Sequence, residues 1–223
     1  MMFSDIVLGI LSSLRIGKAL PEGVQVLNPY REKVVIEICE SFYRKFYNDE
    51  TERRILIGIN PGRFGGGVTG IPFTDPLKLS RDCGIPNSLG TRTELSADFI
   101  YSVVAAFGGP ANFYSRFYFT AVSPLGFTMD GKNLNYYDLR ELQEAITPFA
   151  VRSMNSLLKA PVDRAKAYCI GEGDNLKFLS ALNKQHQWFG EIVPLAHPRF
   201  VMQYRRKQLE RYIEDYVGKL SLP

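Results

Sequence analysis

The sequence predicts an α/β domain of three layers, α/β/α, around a central four-stranded parallel sheet. Two observations carry that expectation. Four short runs, Arg54–Ile59, Phe117–Val122, Ala165–Ile170 and Glu191–Leu195, are apolar nearly throughout, not alternating, as strands buried on both faces are. Stretches of helical periodicity lie between them, and strand–helix alternation builds a parallel sheet covered on both sides. The length of 223 residues, with 45% hydrophobic and 22% charged side chains, suffices for a core that needs no disulfide or metal staple. Residues 1–223 are read as one domain, with residues 1–50 a helical N-terminal part.

Each element has its local reason. The start, MMFSDIVLGILSSLRIG, has no basic stretch before its apolar part, so a short amphipathic helix is expected and not a secretory signal. Within Tyr30–Asn48, Val35, Ile38, Phe42 and Phe46 fall three or four apart, giving a helix with one buried stripe. Arg54–Ile59 runs into Asn60-Pro61-Gly62, so a strand enters a loop, and the Gly- and Pro-rich loop to Pro76 is long enough to be functional. Ser96–Phe107 reads as a helix capped by Ser96 and stopped by Gly108-Gly109. Tyr136–Lys159 reads as two helices, the second starting at Pro148 with Thr147 as its cap. Ala165–Ile170 ends in Gly171-Glu172-Gly173-Asp174 and a helix to about Lys184, Glu191–Leu195 leads to His197-Pro198, and Gln203–Leu220 closes the chain as a helix. Ligands of such sheets sit beyond the carboxyl ends of the strands. The Asn60 loop, the segment after Val122, the Gly171 turn and the His197 loop therefore converge on one rim.

Composition excludes several functions. No apolar run approaches the roughly 20 residues of a membrane span. The formal charge of +4 allows a polyanionic partner without requiring one. Cys39, Cys83 and Cys169 are few and far apart, so a reducing, cytoplasmic setting is expected. No CxxC pair and no helically spaced histidine pair offers a metal site. GINPGRFGGGVTG lacks the Lys-Ser/Thr ending of a phosphate loop, and no GxSxG elbow exists. Of the two histidines, His186 in KQHQW is expected at the solvated surface. His197, after a buried strand, is either functional or a tie for its loop.

The run Gly58-Ile59-Asn60-Pro61-Gly62-Arg63-Phe64-Gly65 with Thr69-Gly70-Ile71-Pro72-Phe73 resembles the first motif of the single-strand-selective monofunctional uracil-DNA glycosylases, GMNPGPFG…TGVPFG. Ser123-Pro124-Leu125 with Gly131-Lys132-Asn133-Leu134 is similar to that family's CPL…GRNL segment. Tyr168–Gly173 is similar to its VVGVG turn, and His197-Pro198 falls where it has HPSPRN. The likeness spans about Ile55 to Arg206. It implies a four-stranded parallel sheet between helices, as read above.

The resemblance also implies roles. His197 donates to the base carbonyl, Asn60 places the attacking water, Phe73 stacks on the base, Gly62 leaves room near pyrimidine C5, and the backbone of Ile59 lines the pocket. It implies a reaction that stops at an abasic site and needs no cofactor or metal. Two departures stand out. Where the family has an asparagine to read uracil, this chain has Ala121. The loop after His197-Pro198 is shorter, which favours single-stranded or locally unpaired DNA. Arg199, Phe200 or Met202 fills the gap left by a flipped base. The acid-free cluster of Arg199, Arg205 and Arg206 is expected to meet phosphates, with Arg63, Lys78, Arg81 and Arg92 as further candidates. The expected activity is excision of uracil or a related deaminated base from DNA by a monomer. The alternatives are a glycosylase for xanthine or hypoxanthine, and a catalytically silent nucleic-acid-binding module on the same fold.

Overall fold

The structure, a computed structural model, describes residues 1–222. Its elements in chain order are α1 (Phe3–Ser13), β1 (Gln25–Leu27), α2 (Lys33–Phe46), β2 (Arg53–Gly58), α3 (Gly66–Thr69), α4 (Pro76–Arg81), α5 (Leu95–Ala106), α6 (Pro110–Tyr114), β3 (Phe117–Ala121), β4 (Gly126–Met129), β5 (Lys132–Leu134), α7 (Arg140–Leu157), β6 (Val162–Ile170), α8 (Asp174–His186), β7 (Glu191–Leu195), α9 (Pro198–Tyr204) and α10 (Leu209–Ser221).

The central sheet has the order β3-β2-β6-β7 and every neighbouring pair is parallel. Register places Leu56 beside both Phe119 and Tyr168, so these three side chains share a face. The Tyr168 hydroxyl donates to the carbonyl of Lys219 in α10, which puts α10 over that face. Tyr118 is one residue from Phe119 and points the other way. Its ring meets Phe3 of α1 at 5.1 Å, so α1 covers the opposite face and the sheet is the middle layer.

The N-terminal helices are fastened to the sheet by Arg53. Its side chain is fully buried and bonds Asp49 at 2.7 and 2.9 Å, Thr51 O at 2.8 Å and Tyr114 O at 2.9 Å. The guanidinium lies 4.9 Å from the rings of Phe3 and Tyr47. A buried cation is tolerated only when paired and hydrogen-bonded in this way.

Several local expectations need correction. Pro148 does not split a helix: α7 runs through it. Thr147 is no cap, because its hydroxyl back-bonds to Gln143 O at 2.6 Å. Buried Ile146 and Phe149 on either side of Pro148 hold the helix together where one backbone donor is missing. Ser96 is buried inside α5, whose cap is Glu94. The C-terminal helix breaks at Arg206–Gln208, and α9 begins at once after His197. The Gly-rich loop holds a helical turn, α3, and Pro76 begins α4 behind its cap Asp75. The third strand starts earlier, at Val162. The first 50 residues also contain strand β1, which joins β4 and β5 in a small antiparallel sheet. His186 is half-buried and stacks on Trp188 at 5.0 Å. The three cysteines are free and buried, and burial pushes the Cys39 thiol up to about 12.

Candidate active site

The four carboxyl-end segments do meet on one rim. They enclose a cavity of about 620 Å³ lined by, among others, Asn60, Phe73, Ala121, Gly171 and His197. Its size suits one base with its sugar. Ile59 and Gly62 line it as well.

Asn60 follows the end of β2 and is clamped by the segment that leaves β5. Its Nδ2 donates to Leu134 O at 3.1 Å, and its Oδ1 accepts from Tyr136 N at 2.9 Å. The clamp is itself anchored. The Tyr136 hydroxyl donates to Asn175 Oδ1 at 2.8 Å, and Asn175 Nδ2 donates to Ile170 O at 3.1 Å. Asn60 thus has a fixed orientation, with a second lone pair on Oδ1 left to accept a bond from water.

His197 is the cap of α9, and its Nδ1 accepts from Arg199 N at 3.2 Å. An accepting Nδ1 carries no proton, so the neutral ring bears it on Nε2. Burial, with the Arg199 charge beside it, pushes the imidazole pKa down to about 4. The Tyr216 hydroxyl donates to Ala196 O and holds the loop from α10.

Phe73 sits at φ 53, a left-handed conformation that costs a bulky residue on the order of 1–2 kcal/mol. The loop holds it there through Thr69, whose hydroxyl meets Thr74 O at 2.6 Å. The ring lies 5.3 Å from Phe119. A Cβ on Gly58 would come within 3.0 Å of Phe73 Cζ, so glycine at the end of the strand lets the ring pack closely against it. Ala121 ends β3 beside Gly58 and presents only a methyl group to the cavity.

At the mouth stand Arg199, Phe200, Gln203 and Tyr204. Phe200 is 41% exposed, Tyr204 67%, and their rings are 5.8 Å apart. Arg205 lies 5.2 Å over Phe200, and Arg206 is exposed nearby. Two expected contacts are corrected. Met202 points into the core at 8% exposure, and Lys78 is buried and paired with Asp98 at 2.9 Å. Neither can meet DNA. Arg81 spends its charge on Asp82 at 3.0 Å, while Arg63 and Arg92 both lie over Phe64. No lysine is among the lining residues, and Lys132 of the GKNL segment is exposed on β5.

A family model described as the uracil DNA glycosylase superfamily matches residues 44–221. The chain belongs to the uracil-DNA glycosylase superfamily. Among solved structures it is similar to the crystal structure of wild-type SMUG2 from Pedobacter heparinus. Identity there is 41% over 98% of this chain and 97% of that one, with a TM-score of 0.95. No curated protein matches the chain. No helix among the described residues is long and apolar enough to cross a membrane.

Sequence reasoning did not find Glu94, Tyr136, Asn175 or Tyr204. Tyr136 lies two residues beyond the GKNL segment, and Tyr204 just beyond the basic run after His197-Pro198, so both were within reach. Glu94, in a polar stretch without pattern, carried no signal.

Proposed function

We propose that this chain is a monofunctional DNA glycosylase that hydrolyses the N-glycosidic bond of uracil or a related deaminated base and leaves an abasic site. The observation that carries the reading is one cavity holding a neutral His197 and a clamped Asn60. An extruded base stacks on Phe73, which contributes roughly 1–3 kcal/mol. As the C1′–N bond breaks, negative charge gathers on the base, and the Nε2–H of His197 stabilises it. The sugar acquires oxocarbenium character. An amide cannot take a proton, so Asn60 contributes placement of the water that adds to C1′. No lining amine competes with water for C1′, and strand cleavage is not expected. Incubating the protein with oligonucleotides that carry uracil, hypoxanthine or xanthine, then heating in alkali, tests the reading. Breaks at the position of any of these bases support it, and intact strands with all three at high enzyme excess refute it.

The reading extends to a monomer working in the cytoplasm on single-stranded or locally unpaired DNA. Phe200 and Tyr204 supply the exposed aromatic surface that fills a vacated stack. Replacing Arg199, Arg205 and Arg206 together by Ala is expected to weaken single-stranded DNA binding. The slope of log affinity against log salt should become shallower by about 2. An unchanged slope assigns these side chains to solvent.

Ala121 favours a second substrate class. Without an amide at this position the cavity has room for a purine, and a uracil edge loses partners worth roughly 1–3 kcal/mol each. Ala121→Asn is expected to raise the uracil-to-xanthine ratio of single-turnover rates about tenfold or more. A ratio equal to that of the parent shows that this position does not read the base.

A further inference from the structure

Among the acidic side chains that line the cavity and that the mechanism above does not use, Glu94 is set apart by its burial. Glu94 lines the cavity at the start of α5. Among the described residues its carboxyl group makes no hydrogen bond and no ion pair, although its backbone N–H donates to Asp75 Oδ2 at 3.0 Å. The group is wedged against the Asn60 loop. A Cβ on Gly65 would overlap Glu94 Oε2, so the carboxyl group lies directly against the backbone of that loop. The point that a methyl group on Gly62 would occupy lies 3.3 Å from Glu94 Oε1 and 3.3 Å from Asn133 Nδ2. Asn133 is oriented by its other end, since Oδ1 accepts from Arg63 N at 3.1 Å, which leaves its Nδ2–H bonds free to donate.

We propose that Glu94, in its protonated form and with Asn133 beside it, reads and protonates the ring-nitrogen edge of a deaminated purine. This rests on the proposed placing of the sugar at Asn60 and of the base beside Gly62. Seen from the glycosidic bond, C5 of a pyrimidine and N7 of a purine occupy the same place. A purine set in the cavity with its sugar at Asn60 therefore turns N7, with O6 next to it, toward the Gly62 wall. Hypoxanthine and xanthine offer two adjacent acceptors there. The wall offers two donors, Glu94 O–H and Asn133 N–H. Uracil offers only O4 beside a C–H. Guanine shows the same two acceptors, so its rejection falls to its other edge and to its stable pairing before extrusion.

The wall is built to keep the proton. Burial foremost, and then the Asp75 carboxylate, push the Glu94 pKa up to about 7, while Arg199 opposes them. Asp98, one turn along α5, is neutralised by Lys78. His197, across the cavity, is neutral at this pH. In the proposed step the C1′–N9 electron pair passes to the purine. The Glu94 O–H bond breaks and N7–H forms, so the base departs neutral. Water adds to C1′ and releases a proton to solvent, from which the carboxylate is recharged. His197 serves uracil, which leaves as an anion, and Glu94 serves purines.

Single-turnover rates on hypoxanthine and uracil oligonucleotides, from about pH 5.5 to about 8.5, test this. The hypoxanthine rate is expected to fall about tenfold per pH unit above pH 7, and the uracil rate is not. Glu94→Gln should lower hypoxanthine excision about 30-fold or more near pH 6 and abolish that limb, with a loss on uracil at least tenfold smaller. Asn133→Ala should repeat the selectivity to a lesser degree, and it decides the matter if Glu94→Gln does not fold. Equal losses on both bases with the limb retained make Glu94 a structural residue and overturn the proposal. Uracil excision without hypoxanthine excision at any pH overturns it while the proposed function stands. Excision of neither base, nor of xanthine, overturns both.

Discussion

His197→Ala and Asn60→Ala are each expected to lower uracil excision by about 100-fold or more, on the order of 3 kcal/mol of transition-state stabilisation. The two losses differ in kind. His197 contributes a donor aimed at charge that exists only as the base departs, so kcat falls and substrate binding changes little. Asn60 contributes placement, and its side chain also closes two hydrogen bonds to Leu134 and Tyr136. Its removal should also cost about 1–2 kcal/mol of stability. Asn60→Asp separates the two roles: it keeps the acceptor for Tyr136 N–H but sets a carboxylate oxygen against the Leu134 carbonyl. It should fold less stably than the parent and remain slow. Single-turnover rates with circular dichroism melts measure both effects. Near-normal rates in folded His197→Ala and Asn60→Ala proteins would place the chemistry elsewhere.

Two groups of the cavity make stability depend on pH with opposite signs. The His197 pKa is lowered from 6.5 to about 4. Between these values the unfolded chain binds the extra proton, so this contribution is full above pH 6.5 and is lost as pH falls toward 4. The Glu94 pKa is raised from 4.5 to about 7. Here the folded chain holds the extra proton, so the contribution is present below 4.5 and is lost as pH rises through 7. Each is worth on the order of 3 kcal/mol, and across pH 4.5–6.5 they offset each other. The parent should show a nearly flat stability there. His197→Gln should become less stable as pH rises through this window, and Glu94→Gln less stable as pH falls. Denaturant midpoints at four or five pH values measure it, and parallel curves for all three proteins would contradict the offset.

The parts of the fold written in consecutive residues were legible. The central strands β2 and β3 are largely buried and edge strand β7 only partly, yet each of the four is apolar nearly throughout, and the strand ends place Asn60, Ala121 and His197 on one rim. The small sheet was not legible from hydrophobicity, because β5 is three residues long and mostly exposed. Its one signal is Asp130-Gly131, both at positive φ, the pair that favours a tight hairpin between Met129 and Lys132. Long-range clamps leave only a faint local trace: Tyr136 stands 76 residues from Asn60, and its place two residues beyond the GKNL segment is the one hint of the contact. Pro148 misled for the converse reason, since packing on both sides outweighed a strong local signal.

That small sheet is what aims the reactive loop, and Gly126 is where the aim is set. Gly126 pairs with Leu27 at the start of β4, and a Cβ there would lie 2.3 Å from the carbonyl oxygen of Pro61. The obstacle is backbone, not the end of a flexible side chain, so one of the two segments must move. β4 is held on both sides, by β1 and β5, whereas Pro61 adjoins Asn60 in a loop. The loop therefore yields, and Asn60 moves against its partners at Leu134 and Tyr136. A displacement near 1 Å of a positioning group costs about 100-fold in rate. Gly126→Ala, remote from any base contact, is thus expected to lower uracil excision about 100-fold. Its stability should fall by about 1–3 kcal/mol, as for overpacking. Gly9→Ala is the matched control, because a Cβ on Gly9 meets nothing within 4 Å and alanine favours the helix α1. It should leave the rate unchanged and raise the melting temperature slightly. Normal excision by Gly126→Ala would mean that β4 moves instead, and that the small sheet does not set the position of Asn60.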